Sequence, residues 1–119
     1  MDFKLDVGAA KPNEPVVIKI SGRWDHLTNP QVENALTQLL QKKQFWIVLD
    51  LSELEFINSA GIKTIGASLR EIRKPNRGDI RVSGMKCAVL RTFERCGYLE
   101  LIQSYEDLEI AIESFTHAM

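Results

Sequence analysis

The hydroxyl of Ser59 is the side-chain group in this sequence best placed to take part in chemistry. It follows Asn58, where an apolar run and a short acidic connector give way to a segment with helical spacing. The first N–H groups of a helix lack intrahelical partners and the positive end of the helix dipole lies there, so a phosphate is well accommodated. The pattern predicts a phosphorylation site at Ser59. The alternative is that Asn58 and Ser59 serve only as a helix cap.

A phosphate on Ser59 is expected to act on a binding partner rather than on the fold. It adds about 1.5 to 2 negative charges near neutral pH, and a helix N-terminus favours such a charge by about 0.3–1 kcal/mol. In a closely packed interface, by contrast, the same dianion loses its water without gaining matching contacts. Ala60 and Gly61 follow Ser59, and small residues of this kind let the backbone of a partner approach closely.

A line of small and basic residues leads away from this site along the predicted helix. At about 100° per residue, Lys63, Ala67, Arg70 and Lys74 fall on one side of the helix. The opposite, apolar side consists of Ile62, Ile65, Leu69 and Ile72. The basic side suits an acidic surface on a partner; the alternative is a helix face that is only solvated.

Three residues outside this helix are also candidates for a role at the site. Asp25 follows the Ser21-Gly22 turn and is expected at the same end of the sheet as Ser59; the alternative is a turn or cap aspartate. Asp50 ends a predicted strand and is expected to accept hydrogen bonds from the next loop. Trp24 is expected to pack at the edge of the core, the alternative being an exposed anchor in an interface.

The apolar pattern predicts strands and helices in alternation. Strands are indicated at residues 3–7, 16–20, 45–51, 80–82 and 99–102. Helices are indicated at residues 29–43, 59–74 and 85–96, and at 108–115 behind a capping box at Ser104 and Asp107. Asn29 is the predicted N-cap of the first helix, and a break is predicted at residues 75–78. The chain is therefore expected to form an α/β fold, with a mixed, mostly parallel sheet of four to five strands and about four helices.

Composition limits the classes of function. The 119 residues suit one domain over residues 1–119, and the 45% apolar content is typical of a globular protein. The net charge of −1 argues against non-specific nucleic-acid binding. No apolar run approaches the length of a membrane span and residues 1–4 do not begin a signal peptide, so we expect a cytoplasmic protein that does not bind membranes.

The sequence offers little for catalysis or for metal binding. It contains no glycine-rich phosphate loop, no nucleophile elbow and no plausible triad. The two cysteines and two histidines are not clustered, so we expect neither a metal site nor another cofactor. Cys87 and Cys96 are expected to be free thiols that are buried or partly buried. These features favour a regulatory protein over an enzyme.

Several segments together resemble the STAS domains of bacterial anti-sigma factor antagonists. They are residues 21–25, 50–52, 56–61, 96–99 and 106–111. The most specific part is Asp-Leu-Ser at 50–52 followed by Ser-Ala-Gly at 59–61. The resemblance covers nearly the whole chain and implies a STAS-like fold of four or five strands with about four helices.

The resemblance also implies a function and partners. It implies that Ser59 is phosphorylated by a partner that is both an anti-sigma factor and a serine kinase. The dephosphorylated domain then binds that partner and frees the sigma factor, and a metal-dependent serine phosphatase resets the switch. The resemblance implies a place for Asp25 in the binding or phosphorylation region. The predicted partner-binding residues are Asp25, Asn58, Ser59, Ala60, Gly61, Lys63, Ala67 and Arg70, on a protein expected to be a monomer or a weak homodimer.

Two residues depart from the family pattern. Asn58 stands where the family usually has aspartate, and Trp24 stands where it usually has an aliphatic residue. Asparagine caps a helix as well as aspartate does, but it removes a negative charge beside Ser59. If that charge serves only the cap, the switch is retained. If it assists phosphoryl transfer, the protein is instead a STAS scaffold or adaptor that binds its partner constitutively.

Overall fold

Six strands and four helices make up the part of the chain that the computed structural model describes, residues 2–74 and 77–116. The strands are β1 (Lys4–Val7), β2 (Val16–Trp24), β3 (Trp46–Asp50), β4 (Leu54–Ile57), β5 (Asp79–Ser83) and β6 (Ser104–Tyr105). The helices are α1 (Asn29–Gln41), α2 (Ser59–Arg73), α3 (Cys87–Arg95) and α4 (Leu108–Thr116). The predicted break after the second helix includes Pro75 and Asn76, which lie outside the described residues.

The strands form a mixed sheet in the order β1-β2-β3-β5-β6, and β4 pairs with β2. Only β1 is antiparallel to its neighbour; the other pairs among the described strands are parallel. The predicted α/β fold with a mostly parallel sheet and four helices is therefore confirmed. The strand count of four to five is too low, because β4 occupies what the sequence indicates is a connector. Its burial alternates between buried Leu54 and exposed Glu55, as expected of a short strand.

The strand β2 continues through the Ser21-Gly22 pair that was predicted to end it. Gly22 has φ +88°, and the register shifts between Gly22 and Arg23. The part of β2 up to Lys19 pairs with β3, and the part from Gly22 onward pairs with β4. At the shift the extra, unpaired residue is Glu55 of β4. The pairs beyond it bring the end of β2 beside the end of β4.

Helices cover both faces of the sheet. Ile47 and Leu49 of β3 belong to the main core, together with buried residues of α1, α2 and α3. Val48, which lies between them, belongs to a second cluster with Ala111 and Phe115 of α4. Because successive residues of a strand point to opposite faces, α4 packs on the face opposite to the other three helices.

The region after α3 differs from the prediction. Gly97, with φ +75°, terminates the helix. Residues 99–102 form turns rather than a strand, since the N–H groups of Leu101 and Ile102 both donate to the Tyr98 carbonyl. The last strand is instead β6. Ser104 lies in that strand and cannot cap α4; Asp107 does so alone, its Oδ1 accepting from the Glu109 N–H at 2.9 Å.

Smaller predictions at helix ends and on helix faces were also wrong. The N-cap of α1 is Thr28 rather than Asn29, and α1 ends at Gln41, before the lysines expected in its last turn. Leu90 of α3 is 38% exposed, although its apolar side chain at helical spacing predicts a place beside the buried Val89 and Phe93. Cys87 and Cys96 are free thiols as expected, but both are exposed because they lie at the two ends of α3.

Candidate functional site

The start of α2 places Ser59 at the surface. The backbone of Asn58 is extended after β4, with φ −111° and ψ −176°, and Asn58 is the N-cap of the helix. Its Oδ1 accepts hydrogen bonds from the Ala60 N–H at 3.1 Å and the Gly61 N–H at 3.4 Å, which confirms the predicted cap. Ser59 is the first residue of α2 and is exposed. A partner protein therefore has access to its hydroxyl.

Asp25 lies at the same end of the sheet, as the sequence predicts. Trp24 and Ile57 are paired in the parallel ladder, and the Asn58 N–H donates to the Trp24 carbonyl at 3.2 Å. Asp25 and Asn58 are thus the residues that follow two adjacent strand ends. The loop after Asp25 and the start of α2 form one continuous surface.

The Asp25 carboxylate accepts hydrogen bonds from the loop that follows it. Its Oδ1 accepts from the N–H groups of Leu27 at 3.0 Å and Thr28 at 3.3 Å. Partial burial raises the pKa of Asp25, but these hydrogen bonds, with the nearby charges of His26 and Arg23, outweigh burial and lower the pKa below its ordinary value. The carboxylate is charged at neutral pH and orders the turn. This is the role of a turn aspartate, the alternative that the sequence left open for Asp25.

A partly buried amide behind the site links three elements. Asn29 Oδ1 accepts a hydrogen bond from Trp24 Nε1 and another from Thr64 Oγ1, each at 2.9 Å. Trp24 is fully buried, which confirms packing and excludes the exposed anchor. The amide of Asn29 joins β2, α1 and α2, and so fixes α2 relative to the strand that leads to Asp25.

Gly61 has a different role from the one indicated by the sequence. It is buried, and a Cβ on it would lie 2.7 Å from Ile57 Cγ1 and 3.0 Å from Trp24 Cε2. Its small size lets α2 pack against these two side chains, rather than admitting the backbone of a partner. Ala60 is only partly buried and remains a candidate for partner contact.

The basic face of α2, formed by Lys63, Ala67, Arg70 and Lys74, is exposed along its whole length. The opposite side of the helix is buried, as predicted; it comprises Ile62, Ile65, Leu69 and Ile72. Lys63 and Arg70 form no ion pair with a carboxylate of the described residues. Both charges are therefore available to an acidic surface.

The end of α3 contributes a part of the site that the sequence did not predict. A shallow cavity of about 270 Å³ separates the start of α2 from α3. It is lined by Phe56, Ile57, Asn58 and Ser59 on one side and by Thr92, Arg95 and Cys96 on the other. The Arg23 guanidinium lies over the ring of Phe56, 4.1 Å from its centroid. Residues 92–96 are more than thirty positions from Ser59, so no local spacing could relate them.

The described residues give no sign of a metal centre or of a membrane span. No three side chains of His, Cys, Asp or Glu in residues 2–74 and 77–116 are grouped as metal ligands. Among the described helices, none has both the length and the apolar character needed to cross a bilayer.

Two known proteins that resemble this chain, one in sequence and one in structure, are both named as anti-sigma factor antagonists. The anti-sigma F factor antagonist of Paenibacillus polymyxa is 26% identical over 93 residues, which cover 77% of this chain and 79% of that protein. The crystal structure of an anti-sigma factor antagonist from Mycobacterium paratuberculosis gives a TM-score of 0.84 at 24% identity, covering 96% of this chain and 94% of the other.

The antagonist SpoIIAA has the same fold in an unphosphorylated and in a phosphorylated structure. The unphosphorylated form gives a TM-score of 0.77 at 21% identity, covering 99% of this chain and 98% of SpoIIAA. The phosphorylated form, from Bacillus, gives a TM-score of 0.69 at 19% identity, covering 95% and 98%. Finally, the family model for the STAS domain matches residues 7–111. The chain belongs to the STAS domain family.

Proposed function

We propose that this protein is an anti-sigma factor antagonist controlled by phosphorylation of Ser59. The observation that carries the proposal is the exposed Ser59 hydroxyl at the first position of α2, beside the Asn58 cap. The relatives named as anti-sigma factor antagonists support the class of function. The partner is an anti-sigma factor that also acts as a serine kinase, and the encounter takes place in the cytoplasm.

The chain supplies the phosphoryl acceptor and the partner supplies the catalysis. Ser59 Oγ attacks the γ-phosphorus of ATP held by the kinase. The new O–P bond forms as the bond to ADP breaks, and the hydroxyl proton passes to a base on the kinase. A serine phosphatase reverses the modification by directing water at the phosphorus, which restores the hydroxyl and releases inorganic phosphate. The protein itself is a regulator.

The phosphate leaves the fold intact because the helix start does not depend on the Ser59 hydroxyl. Asn58 Oδ1 already accepts from the N–H groups of Ala60 and Gly61, and the Ile62 N–H donates to the Asn58 carbonyl at 3.3 Å. The phosphate is therefore not needed to cap α2, and it lies at the exposed start of the helix. Its effect falls on binding, through size and charge.

The proposed binding surface extends from Asp25 through Ser59 to the basic face of α2. Asn58 and Ala60 flank the hydroxyl, and the basic face continues for about three turns beyond it. The charges of Lys63 and Arg70 favour an acidic patch on the kinase. Adding a dianion at Ser59 places a negative charge between that patch and the basic face, so release follows from repulsion as well as from steric exclusion.

Mass spectrometry after incubation with the cognate kinase and ATP tests the proposal. We expect a single phosphate on Ser59, absent from Ser59→Ala. Ser52 is also exposed and provides the matched control, because Ser52→Ala should still accept one phosphate. If no phosphate appears and Ser59→Asp binds the kinase as well as the unmodified chain does, the protein is instead a constitutive STAS adaptor.

A further inference from the structure

We propose that Arg95 of α3 pairs with the phosphate on Ser59 across the cavity between α2 and α3. The pair holds the phosphate as a dianion at neutral pH and fixes its position on the surface. This inference rests on the proposed phosphorylation of Ser59. In the phosphorylated state, Arg95 is then a positioning residue. Neither the helix cap at Asn58 nor the basic face of α2 needs Arg95 for its own role.

The cavity provides the space for such a pair. Ser59 and Arg95 both line it, and its volume is about 270 Å³. A phosphate on Ser59 would therefore occupy a space that Arg95 also borders. Phe56 and Ile57 contribute apolar surface to its lining, and apolar surface beside an ion pair lowers the local dielectric.

The charge of Arg95 is not used elsewhere in the described residues. The ion pairs found there engage Arg23, Arg73, Arg77 and Arg81. Arg23 also borders the site, through Phe56, but its guanidinium lies 3.8 Å from the Asp25 carboxylate. Arg95 is the cationic residue that lines the cavity itself, and it has no carboxylate partner in the described part of the chain.

The helix ends around the cavity favour a side-chain cation as the partner of the phosphate. At the start of α2, the N–H groups of Ala60 and Gly61 are already taken by Asn58. A phosphate therefore finds few backbone donors there. On the other side, the carbonyl end of α3 carries partial negative charge and repels an anion. The positive charge of a guanidinium in the last turn of α3 offsets that partial negative charge. Its paired N–H groups can donate hydrogen bonds to phosphate oxygens.

The test uses protein that carries phosphoserine at position 59, introduced during translation so that no kinase is needed. The second pKa of the phosphate, ordinarily about 6, is measured by ³¹P NMR at about 0.15 M ionic strength, where charges beyond about 8 Å are screened. We expect this pKa to be higher in Arg95→Gln than in the unsubstituted chain by a few tenths of a pH unit, the size expected of an exposed ion pair. Arg95→Lys should restore part of the difference.

Arg91 provides the matched control, because it is exposed on α3 and does not line the cavity. Arg91→Gln removes the same charge and should leave the phosphate pKa unchanged. Equal pKa values in the unsubstituted chain and Arg95→Gln would overturn the inference, as would an equal rise in Arg91→Gln. Failure of the proposed function would appear separately, as a kinase that does not modify Ser59.

Discussion

The N–H group of Asn58 donates a hydrogen bond to the carbonyl oxygen of Trp24, at 3.2 Å. This bond continues the parallel pairing of β2 and β4 by one residue, beyond the last paired positions at Trp24 and Ile57. It fixes where the chain leaves β4 and enters α2. The same bond sets the loop that begins at Asp25 beside Ser59, so that residues more than thirty positions apart share one surface.

The Asn58 cap makes a measurable contribution to stability. Asn58→Ala removes the acceptor for two helix N–H groups, and we expect the free energy of unfolding to fall by about 0.5–2 kcal/mol. Asn58→Asp keeps the acceptor and adds a negative charge where the helix dipole favours it, so its stability should equal or exceed that of the unsubstituted chain. Urea denaturation measures both, with Ser59→Ala as the control. An Asn58→Ala protein of unchanged stability would mean that Asn58 is not a cap.

Gly61→Ala is expected to destabilise the protein although alanine favours helices. The intrinsic preference for alanine gains about 1 kcal/mol. The added methyl group, however, meets Ile57 and the fully buried Trp24, and overpacking of this kind costs about 1–3 kcal/mol. Ala67→Gly, on the exposed side of the same helix, should lose only the intrinsic preference. If Gly61→Ala raises the free energy of unfolding, the close packing of α2 on Trp24 is refuted.

Much of this site could be predicted from local sequence. Residue types at helical spacing predict the cap at Asn58, the exposed Ser59 and the two sides of α2. The structure confirms these three features. Gly61 could not be assigned to packing in the same way. A Cβ on it would meet Trp24, and that contact depends on the pairing of the end of β2 with β4. Arg95 was missed for the same reason, since tertiary pairing alone brings α3 to the site.

Strand length limited the prediction of the fold. β4 has four residues and β6 has two, which is too short for an alternating apolar pattern to stand out from a turn. The apolar residues Leu99, Leu101 and Ile102 resemble a strand in composition. In the structure Ile102 is buried while Leu101 is 52% exposed, because the chain turns there. The bounds of α2, the longest helix described, were predicted to within one residue, whereas α1 and α3 each differ from the prediction by two residues at one end.

The basic face of α2 should determine the affinity for the kinase and its dependence on salt. Substituting Lys63→Glu and Arg70→Glu together should weaken binding by about tenfold, or about 1.4 kcal/mol, and reduce the effect of added salt. The thermal midpoint should change little, because both residues are exposed and outside the ion pairs of the described residues. Titration calorimetry at two salt concentrations measures the effect.

The control for that experiment is a double substitution with the same change in net charge. Lys42 and Arg91 are exposed on other elements, so Lys42→Glu with Arg91→Glu should leave the affinity nearly unchanged. If both double variants lose affinity equally, only the net charge matters and the face of α2 has no specific role.

The lowered pKa of Asp25 predicts that the stability of the protein depends on pH. Its pKa is lowered in the folded protein from an ordinary value of 3.8, so the charge stabilises the fold above that value, and this contribution is lost as the pH falls through the lowered pKa. Asp25→Asn retains an oxygen for the Leu27 and Thr28 N–H groups but has no charge. Denaturation curves of the two proteins should therefore differ near neutral pH and converge in acid. A difference that stays constant as the pH falls would contradict this assignment.

The affinity of the kinase for the chain with and without phosphate on Ser59 tests the central claim most directly. Chain carrying serine and chain carrying phosphoserine at position 59 are titrated into the same kinase under the same conditions. We predict that the phosphate weakens binding by about a hundredfold or more, equivalent to about 2.7 kcal/mol, while both chains unfold at similar temperatures. Equal affinity for the two chains would contradict the account.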